Sequence, residues 1–260
     1  MPASKSSFSR AHGAALAGTL ALFAFAILLF HSLAGGTLLA QNPYDSYLLQ
    51  AKNWLQGSMA IQNGEQYPWL ELAIFNNQYY LSFPPVPSVL ALPWALWGGA
   101  VPSNLIAVCY GLAVAAGVYL MFWQGGKTPE TCAFFALFVS LGSNTFWLST
   151  SGGVWMLAQL LALAFCVWGC FFWLAGREIP AFFLLALAVG CRPFSALLAV
   201  LLFLRPLWGA VRQGRWKHLA AVSVLPVLVA LALGWYNWAR FGNPLEFGHN
   251  YLPEFMREEN

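Results

Sequence analysis

AALAGTLALFAFAILLFHSL, residues 14–33, is an apolar segment without a charged residue, as long as a helix must be to cross the hydrocarbon core of a bilayer. Further charge-free runs occupy residues 72–126, 131–176 and 218–239. Of all residues, 60% are hydrophobic and 8% are charged, whereas roughly 25% are charged in an ordinary soluble domain. This composition excludes a soluble protein and predicts an all-α, polytopic membrane protein with about six to eight membrane helices.

Outward from the first span, the apolar runs predict the remaining membrane helices. Clear spans are predicted at residues 105–123, 133–148, 154–174 and 219–238. Residues 179–204 are apolar as well, but Gly190-Cys191-Arg192-Pro193 predicts a break near the middle of that segment. We interpret residues 1–260 as a single membrane domain with a first span at 14–33, an extracytoplasmic loop at 35–83, a helical bundle at 84–238 and an outer tail at 239–260.

The extracytoplasmic loop has a pattern of its own. Residues 44–57 predict a short amphipathic helix that lies in the membrane interface, with Gly57 as a suitable C-terminal stop. Its apolar residues recur at i, i+1, i+4, i+7 and i+8, namely Tyr47, Leu48, Ala51, Trp54 and Leu55. Further along, Asn76-Asn77 predicts a turn between two short extended segments.

Basic residues at two places predict the orientation in the membrane. Lys5 and Arg10 precede the first span. A basic cluster between two later apolar runs consists of Arg205, Arg212, Arg215 and Lys217. By the positive-inside rule, both regions and therefore the N-terminus are predicted to be cytoplasmic. Tryptophans flank the cluster, as in some lipid-phosphate or nucleic-acid patches, but we interpret it as a topology signal and expect no nucleic-acid partner.

Residues 86–97 leave two topologies open, because the helix predicted there is too short to span comfortably. If this helix does not cross, Lys127, Arg177 and the basic cluster are all cytoplasmic, and residues 179–204 form a shallow hairpin. If it crosses, Lys127 and Arg177 lie outside and residues 179–204 span once. The positive-inside rule favours the first arrangement.

Three ionisable residues at the predicted membrane edges are candidates for function. Asp45 is the only aspartate in the chain and lies shortly after the first span, where a carboxylate either caps a helix or takes part in chemistry. Arg192 lies in the broken apolar segment, where its charge is costly unless it is paired or hydrated. Arg240 follows the last span, where it either anchors in the lipid head groups or has a functional role.

Three patches, in order along the chain, carry a resemblance to a known family. The first is Asp45 with Tyr47, Ala51 and Gly57 downstream, the second is NNQYYLSFPPVP at residues 76–87, and the third is YNWARFGNP at residues 236–244. Together they resemble the membrane glycosyltransferases of the GT-C fold that use polyprenyl-phosphate sugars. That group includes bacterial relatives of the protein O-mannosyltransferases and of the lipid A aminoarabinose transferase.

The resemblance implies transfer of a sugar from a polyprenyl-phosphate donor to the hydroxyl of a lipid, glycan or protein acceptor at the extracytoplasmic face. Asp45 is then the expected general base. A cation near the site stabilises the departing phosphate, and the candidates for it are Arg192 and Arg240. As further substrate-binding residues we expect Glu71 as an auxiliary acid, with Tyr79 and Tyr80 lining the sugar or lipid entrance.

No cofactor is firmly implied by the residues or by the resemblance. No pair of histidines has metal-ligand spacing, and the absence of a second aspartate near Asp45 excludes a local Asp-x-Asp metal site. A divalent ion held by Asp45 and a distant glutamate stays open. The sequence therefore predicts no metal-ligand residues.

Two function classes remain. Members of the family have longer chains with more spans, so we expect this chain to be the N-terminal part of a longer enzyme or a remnant of one. The alternative is a non-catalytic polytopic membrane protein, such as a subunit, a lipid-binding partner or a transporter fragment. Few ionisable groups lie within the spans, which argues against a transporter. On either hypothesis we expect an integral protein of the bacterial inner membrane.

Overall fold

The computed structural model describes residues 8–97 and 101–256. The chain there is mostly helical, with one two-stranded antiparallel hairpin. Within the described residues, five helices are long and apolar enough to cross a membrane, which indicates an integral membrane protein. In chain order the elements are α1 (Arg10–Leu33), α2 (Ser46–Leu55), β1 (Leu72–Phe75), β2 (Gln78–Leu81), α3 (Val86–Leu96), α4 (Ser103–Gln124), α5 (Pro129–Leu141), α6 (Thr145–Leu148), α7 (Val154–Leu174), α8 (Glu178–Val189), α9 (Ala196–Gln213), α10 (Trp216–Phe241) and α11 (Pro253–Met256).

The predicted spans agree with the structure where a long apolar run has clear ends. Helix α7 has the predicted bounds, and the predicted break at Gly190-Cys191-Arg192-Pro193 is confirmed as the junction between α8 and α9. Helix α10 continues to Phe241, so the boundary drawn at residue 239 for the outer tail falls inside a helix. Helix α9 likewise continues beyond residue 204, to Gln213, and Arg205 within it lies over the ring of Trp173 at 4.9 Å.

One span was predicted wrongly. Residues 133–148 are not a continuous helix: α5 ends at Leu141, and α6 is a separate single turn. Gly142 closes α5 by donating its backbone N–H to the carbonyls of Leu137 and Phe138. Glycine, serine and asparagine follow one another at this point and favour a turn over a continued helix, which outweighs the apolar character of the segment.

Hydrogen bonds at both ends of α1 and α4 give the relative direction of these two helices. Near the start of α1, His12 Nδ1 lies 3.1 Å from the hydroxyl of Tyr119 near the end of α4. After the end of α1, the carbonyl of Thr37 accepts a hydrogen bond of 2.9 Å from Asn104 Nδ2 at the start of α4. Helices α1 and α4 are therefore antiparallel. We call the end of the bundle that contains the start of α1 the Arg10 end, and the opposite end the Asp45 end.

A buried carboxylate joins three helices at the Arg10 end. Glu178, at the start of α8, has an oxygen 2.6 Å from His218 Nε2 on α10 and another 3.5 Å from Arg205 Nε on α9. The chain thus returns to the Arg10 end between α7 and α8 and again between α9 and α10. Both times it does so beside basic residues, including Arg177 and the basic cluster at 205–217.

Helix α3 begins and ends at the Asp45 end. Its first residue, Val86, donates its N–H to the carbonyl of Gly190 at the α8–α9 junction. Near its end, Ala95 and the following Val101 pack against Leu48 and Ala51 of α2. Helix α3 therefore lies along α2, and its 11 residues match the short helix that the sequence predicts.

The loop between α1 and α3 contains the predicted helix and the predicted hairpin. Asn76 and Asn77 both have positive φ angles, 50° and 60°, as the turn of a two-residue hairpin requires, so the predicted turn is confirmed. Gly57 ends α2 with a φ of 79°. Part of the polar side of α2 faces inward, however: Gln50 is fully buried, donates to the Tyr236 hydroxyl at 2.6 Å and accepts from Ser88 Oγ at 2.6 Å.

Candidate functional site

A network of short polar side chains fixes the loop that carries Asp45. We call Asn42, Ser103, Asn104 and Ser151 the polar hub. The backbone N–H of Asn42 donates to Ser103 Oγ at 2.8 Å, and Asn42 Nδ2 donates to Ser151 Oγ at 3.0 Å and to Asn104 Oδ1 at 3.3 Å. Because Ser103 and Asn104 begin α4 and Ser151 precedes α7, these bonds tie the loop to the starts of two long helices.

Gly152 allows those two helix starts to come together. A Cβ atom at this position would lie 2.3 Å from the Ser103 carbonyl carbon, so no other residue fits without a backbone shift. The N–H of Gly152 donates to Asn104 Oδ1 at 2.8 Å, and the N–H of Val154 donates to the Tyr44 carbonyl at 3.0 Å. The backbone of residues 42–45 therefore lies directly against the N-terminus of α7.

Asp45 begins α2 in this constrained position. Its Oδ1 accepts the N–H of Leu48 at 3.1 Å, so the capping role that the sequence left open is present. The side chain is buried, with the residue only 7% exposed. Burial raises the pKa of Asp45 to about 6, although the Leu48 amide, the Ser103 hydroxyl and the charge of Lys52 each lower it. The carboxyl group is thus ionised at neutral pH but takes up a proton under mildly acidic conditions.

Asp45 faces a narrow crevice rather than open solvent. The crevice lies between α3 and α4 and contains Leu90 and Trp94 on one side and Ile106 and Tyr110 on the other. Its volume is about 10 Å³, which leaves no room for a ligand. Any molecule that reaches the carboxylate from this side has to displace the side chains of α3.

Trp155, in the first turn of α7, connects Glu71 with Arg192. The indole Nε1 of Trp155 donates to Glu71 Oε2 at 3.2 Å, and Arg192 Nη2 donates to the Trp155 carbonyl at 2.9 Å. The guanidinium carbon of Arg192 also lies 5.6 Å from the ring centroid of Phe83. Glu71 and Arg192 are both partly exposed. The structure therefore brings these two predicted residues together beside the helix start that holds the Asp45 loop.

Tyr47, in the first turn of α2, is fully buried. Burial raises the pKa of its phenol, the positive charge of Arg192 lowers it, and the negative charge of Asp45 raises it further. Its hydroxyl is buried and has no hydrogen-bond partner among the described residues. The same is true, within that part of the chain, of Arg192 Nε. The Tyr47 hydroxyl and Arg192 Nε are thus two of several buried donors, Arg240 Nε among them, that have no protein acceptor in the described part of the chain.

Arg240 and Tyr80 form a second group. Arg240 is 4% exposed, donates through Nη2 to Asn237 Oδ1 at 2.9 Å and through Nη1 to the Leu81 carbonyl, and has its guanidinium carbon 3.8 Å from the Tyr236 ring centroid. Tyr80 packs against Phe241, with their ring centroids 5.4 Å apart. Arg240 thus holds the hairpin against the end of α10.

Tyr79 is placed by the hairpin rather than by either group. It pairs with Ile74 across the two strands and forms an isolated bridge with Ile61. Its ring covers Gly64, where an added Cβ would lie 2.2 Å from the Tyr79 Cγ. The predicted site residues therefore divide into Asp45, Glu71 and Arg192 at the start of α7, Tyr80 and Arg240 at the end of α10, and Tyr79 within the hairpin.

Two apolar grooves flank the last part of α10. One has a volume of about 540 Å³ and lies between α10 and the α8–α9 junction, with Pro193, Gly234 and Pro244 in its wall. The other, of about 570 Å³, lies between α3, α8 and α10. The wall of the first groove includes Pro193, which follows Arg192 in the sequence.

Sequence reasoning missed several residues that build the site. Trp155 and the polar hub are examples. A signal for part of the hub was present in the sequence, because the polar residues Ser103-Asn104 and the turn Ser151-Gly152-Gly153 each come directly before a long apolar run. Among the described residues, no three His, Cys, Asp or Glu side chains come together as metal ligands. No family model, curated protein or solved structure was found to match this chain.

Proposed function

We propose that the protein is a membrane glycosyltransferase, or the N-terminal part of one, that transfers a sugar from a polyprenyl-phosphate donor to an acceptor hydroxyl at the extracytoplasmic face. The observation that carries this proposal is the buried carboxyl group of Asp45, whose pKa is raised to about 6, at the same helix start as Arg192. A general base works best when its pKa lies near the operating pH. A buried aspartate with this property is therefore a candidate base rather than an ordinary surface acid.

In the proposed reaction the acceptor oxygen attacks the anomeric carbon of the donor sugar. The bond between that carbon and the phosphate oxygen breaks, and its electron pair leaves with the polyprenyl phosphate. The proton of the acceptor hydroxyl passes to a carboxylate oxygen of Asp45. Arg192 stabilises the negative charge that develops on the leaving phosphate. Because Asp45 is only 7% exposed, an acceptor that approaches through the crevice has to displace Leu90 and Trp94 of α3 to reach it.

The remaining predicted residues have supporting roles in this proposal. Glu71 accepts hydrogen bonds from substrate hydroxyls through the oxygen that does not bind Trp155. Tyr79, which is partly exposed, lines the approach from the hairpin side, and the buried Tyr80 supports the hairpin from behind through its contact with Phe241. The polyprenyl chain lies in the groove of about 540 Å³ beside Pro193. A divalent ion, if one takes part, would be held by Asp45 and a distant glutamate and would stabilise the negative charge of the donor phosphate.

The proposed topology has the Arg10 end in the cytoplasm and the Asp45 end outside a bacterial inner membrane. Basic residues support this orientation, since the Arg10 end holds Arg10, Lys127, Arg177, Arg205, Arg212, Arg215 and Lys217. With α3 lying along α2, the chain traverses the membrane as α1, α4, α5 with α6, α7, α8, α9 and α10. As in the first of the two arrangements that the sequence left open, residues 86–97 do not cross and Lys127, Arg177 and the basic cluster are cytoplasmic. It differs from that arrangement at residues 179–204, which were expected to form a shallow hairpin and here form the two crossing helices α8 and α9.

Single cysteines test this topology in a variant that lacks the native ones. Glu65→Cys and Gln213→Cys are suitable because both positions are exposed and lie at opposite ends. A membrane-impermeant thiol reagent applied to intact cells should label Cys at position 65 and leave position 213 unlabelled. Labelling of position 213 alone would show that the orientation is the reverse and that Asp45 lies in the cytoplasm. That result would contradict a reaction at the extracytoplasmic face.

Asp45→Asn tests the catalytic role of Asp45. We expect transfer to fall by about 100-fold or more, because general-base catalysis contributes roughly that much. Asparagine caps helices as well as aspartate does, so α2 should remain folded. The folded-state pKa is raised, so wild-type stability falls as pH increases from 3.8 through about 6. Asp45→Asn should remove this loss and unfold at or above the wild-type temperature at pH 8.

The alternative is a non-catalytic membrane scaffold in which Asp45 only caps α2. The hydrogen bond from Leu48 and the low exposure of Asp45 are the observations that favour it. In that case Asp45→Asn has no effect beyond stability, and Asp45→Ala loses about 1 kcal/mol of cap energy. Undiminished transfer by Asp45→Asn would therefore reject the proposed role of this residue.

A further inference from the structure

Four aromatic side chains line one surface around the Asp45 loop, and nothing in the proposed reaction uses them. We call Tyr44, Tyr67, Trp69 and Trp155 the aromatic platform. Tyr44 is 39% exposed and Trp69 is 47% exposed, while Tyr67 and Trp155 are partly exposed. The Tyr67 and Trp69 ring centroids are 5.9 Å apart, and those of Tyr44 and Trp155 are 5.7 Å apart.

Hydrogen bonds hold the platform in place. Trp69 Nε1 donates to the Pro43 carbonyl at 3.1 Å, which joins the Tyr67–Trp69 pair to the residue before Tyr44. Trp155 Nε1 donates to Glu71 Oε2 at 3.2 Å, so a carboxylate borders the platform. Both indole N–H groups are thus used internally, and the ring faces remain as the groups available to a ligand.

The charge of the loop argues against an anionic lipid surface as the partner. Residues 53–126 contain Glu65 and Glu71 but no lysine or arginine. Segments that attach to anionic membranes have basic residues instead. The residues before Trp69 are also polar and exposed, including Gln62, Asn63 and Gln66. Exposed aromatic faces next to a carboxylate and amides fit a neutral ligand that has both C–H faces and hydroxyl groups.

We propose that the aromatic platform binds a saccharide, and that the acceptor of the reaction is therefore a glycan rather than a protein. The C–H groups on the flat face of a hexose ring are weakly positive and are attracted to the negative face of an aromatic ring. The hydroxyl groups at the edge of the sugar donate to Glu71. The assignment to the acceptor rests on the proposed function, whereas the binding of a saccharide rests on the platform alone.

Saccharide binding is tested on the full chain in lipid nanodiscs with cellotetraose, mannotetraose and maltotetraose as probes. We expect at least one probe to bind, with Trp69→Ala weakening its affinity roughly 3- to 10-fold, since one aromatic contact is worth that much. Trp69→Phe keeps a ring and should lose less. The control is Trp97→Ala, because Trp97 is 84% exposed and is not part of the platform. No binding of any probe, or equal binding by Trp69→Ala, would overturn the proposal.

The main competitor is a tryptophan belt at the lipid interface. The difference between the tryptophan fluorescence spectra of the wild type and of Trp69→Phe reports on the surroundings of Trp69. We expect acrylamide to quench this emission and the bound tetrasaccharide to protect it. Quenching by brominated lipids instead would show that Trp69 faces the bilayer, which would reject the platform.

The two proposals fail in different ways. Platform-dependent binding by a protein without transfer activity would reject the glycosyltransferase and leave the saccharide site intact. Transfer that is lost in Asp45→Asn, without any platform-dependent saccharide binding, would reject the platform and leave the glycosyltransferase.

Discussion

Arg192 and Arg240 lie at the same end of the bundle, but their surroundings differ. Arg240 is almost fully buried, with two protein acceptors and the Tyr236 ring 3.8 Å from its guanidinium carbon. Arg192 is partly exposed and, among the described residues, has one protein acceptor, the Trp155 carbonyl. Nε is buried without a partner among the described residues in both arginines, so the contrast lies in the terminal nitrogens and in exposure: both terminal nitrogens of Arg240 donate to the protein, whereas Arg192 is more accessible and donates through Nη2 alone. If the proposed function holds, we therefore expect Arg192 to bind the donor phosphate and Arg240 to have a structural role.

Arg240→Ala should have the largest effect on stability. The substitution leaves the Leu81 carbonyl and Asn237 without their donor and removes the packing on Tyr236. We expect a loss of about 3 kcal/mol or more, since each buried unsatisfied group costs roughly 1–3 kcal/mol. Thermal unfolding in detergent measures this effect. If Arg240→Ala unfolds at the wild-type temperature but no longer binds polyprenyl phosphate, then Arg240, and not Arg192, is the residue that binds the phosphate.

Arg192→Ala should weaken donor binding more than it lowers stability. We expect the affinity for polyprenyl phosphate to fall by about 10- to 100-fold, because hydrogen bonds to charged groups are worth roughly 1.5–3 kcal/mol. Arg192→Lys keeps the charge and should recover part of the affinity. Binding is measured by titration of the purified protein in nanodiscs. Equal affinity of the wild type and Arg192→Ala for polyprenyl phosphate would show that Arg192 does not bind the phosphate.

Asn77→Gly should have the smallest effect. This substitution changes the turn of the hairpin that Arg240 holds. The hairpin presents the Leu81 carbonyl to Arg240, and Asn77 has a φ of 60° that glycine adopts without strain. We expect stability to increase by about 0.5 kcal/mol at most, with donor affinity unchanged. A loss of donor affinity in this variant would show that the hairpin and Arg240 contribute to the phosphate site.

Local patterns were sufficient to predict much of the fold. The bounds of α7, the Asn76-Asn77 turn and the break before Pro193 follow from apolar runs and from residues with restricted backbones. The prediction of a single span at 133–148 was wrong because a three-residue turn, Gly142-Ser143-Asn144, interrupts an otherwise apolar run. The orientation of the short helix α3 required its contacts with α2, which no local pattern contains.

The candidate site was only partly accessible from the sequence. Asp45 stands out as the only aspartate, and Arg192 as a charge in a broken helix. Sequence does not place Trp155 between Glu71 and Arg192, because the three residues are far apart in the chain and meet only through the fold. For the same reason it does not predict that Gln50 is buried against Tyr236. Long-range hydrogen bonds decided both placements.

The pH dependence of single-turnover transfer tests the central claim, that Asp45 is the general base. Burial raises the pKa of this carboxyl group to about 6, and only its ionised form accepts a proton from the acceptor. The rate should therefore be constant above neutral pH and fall as the pH decreases through about 6, with a residual rate in Asp45→Asn that lacks this inflection. An inflection that persists in Asp45→Asn would assign the titrating base to another residue and contradict the account.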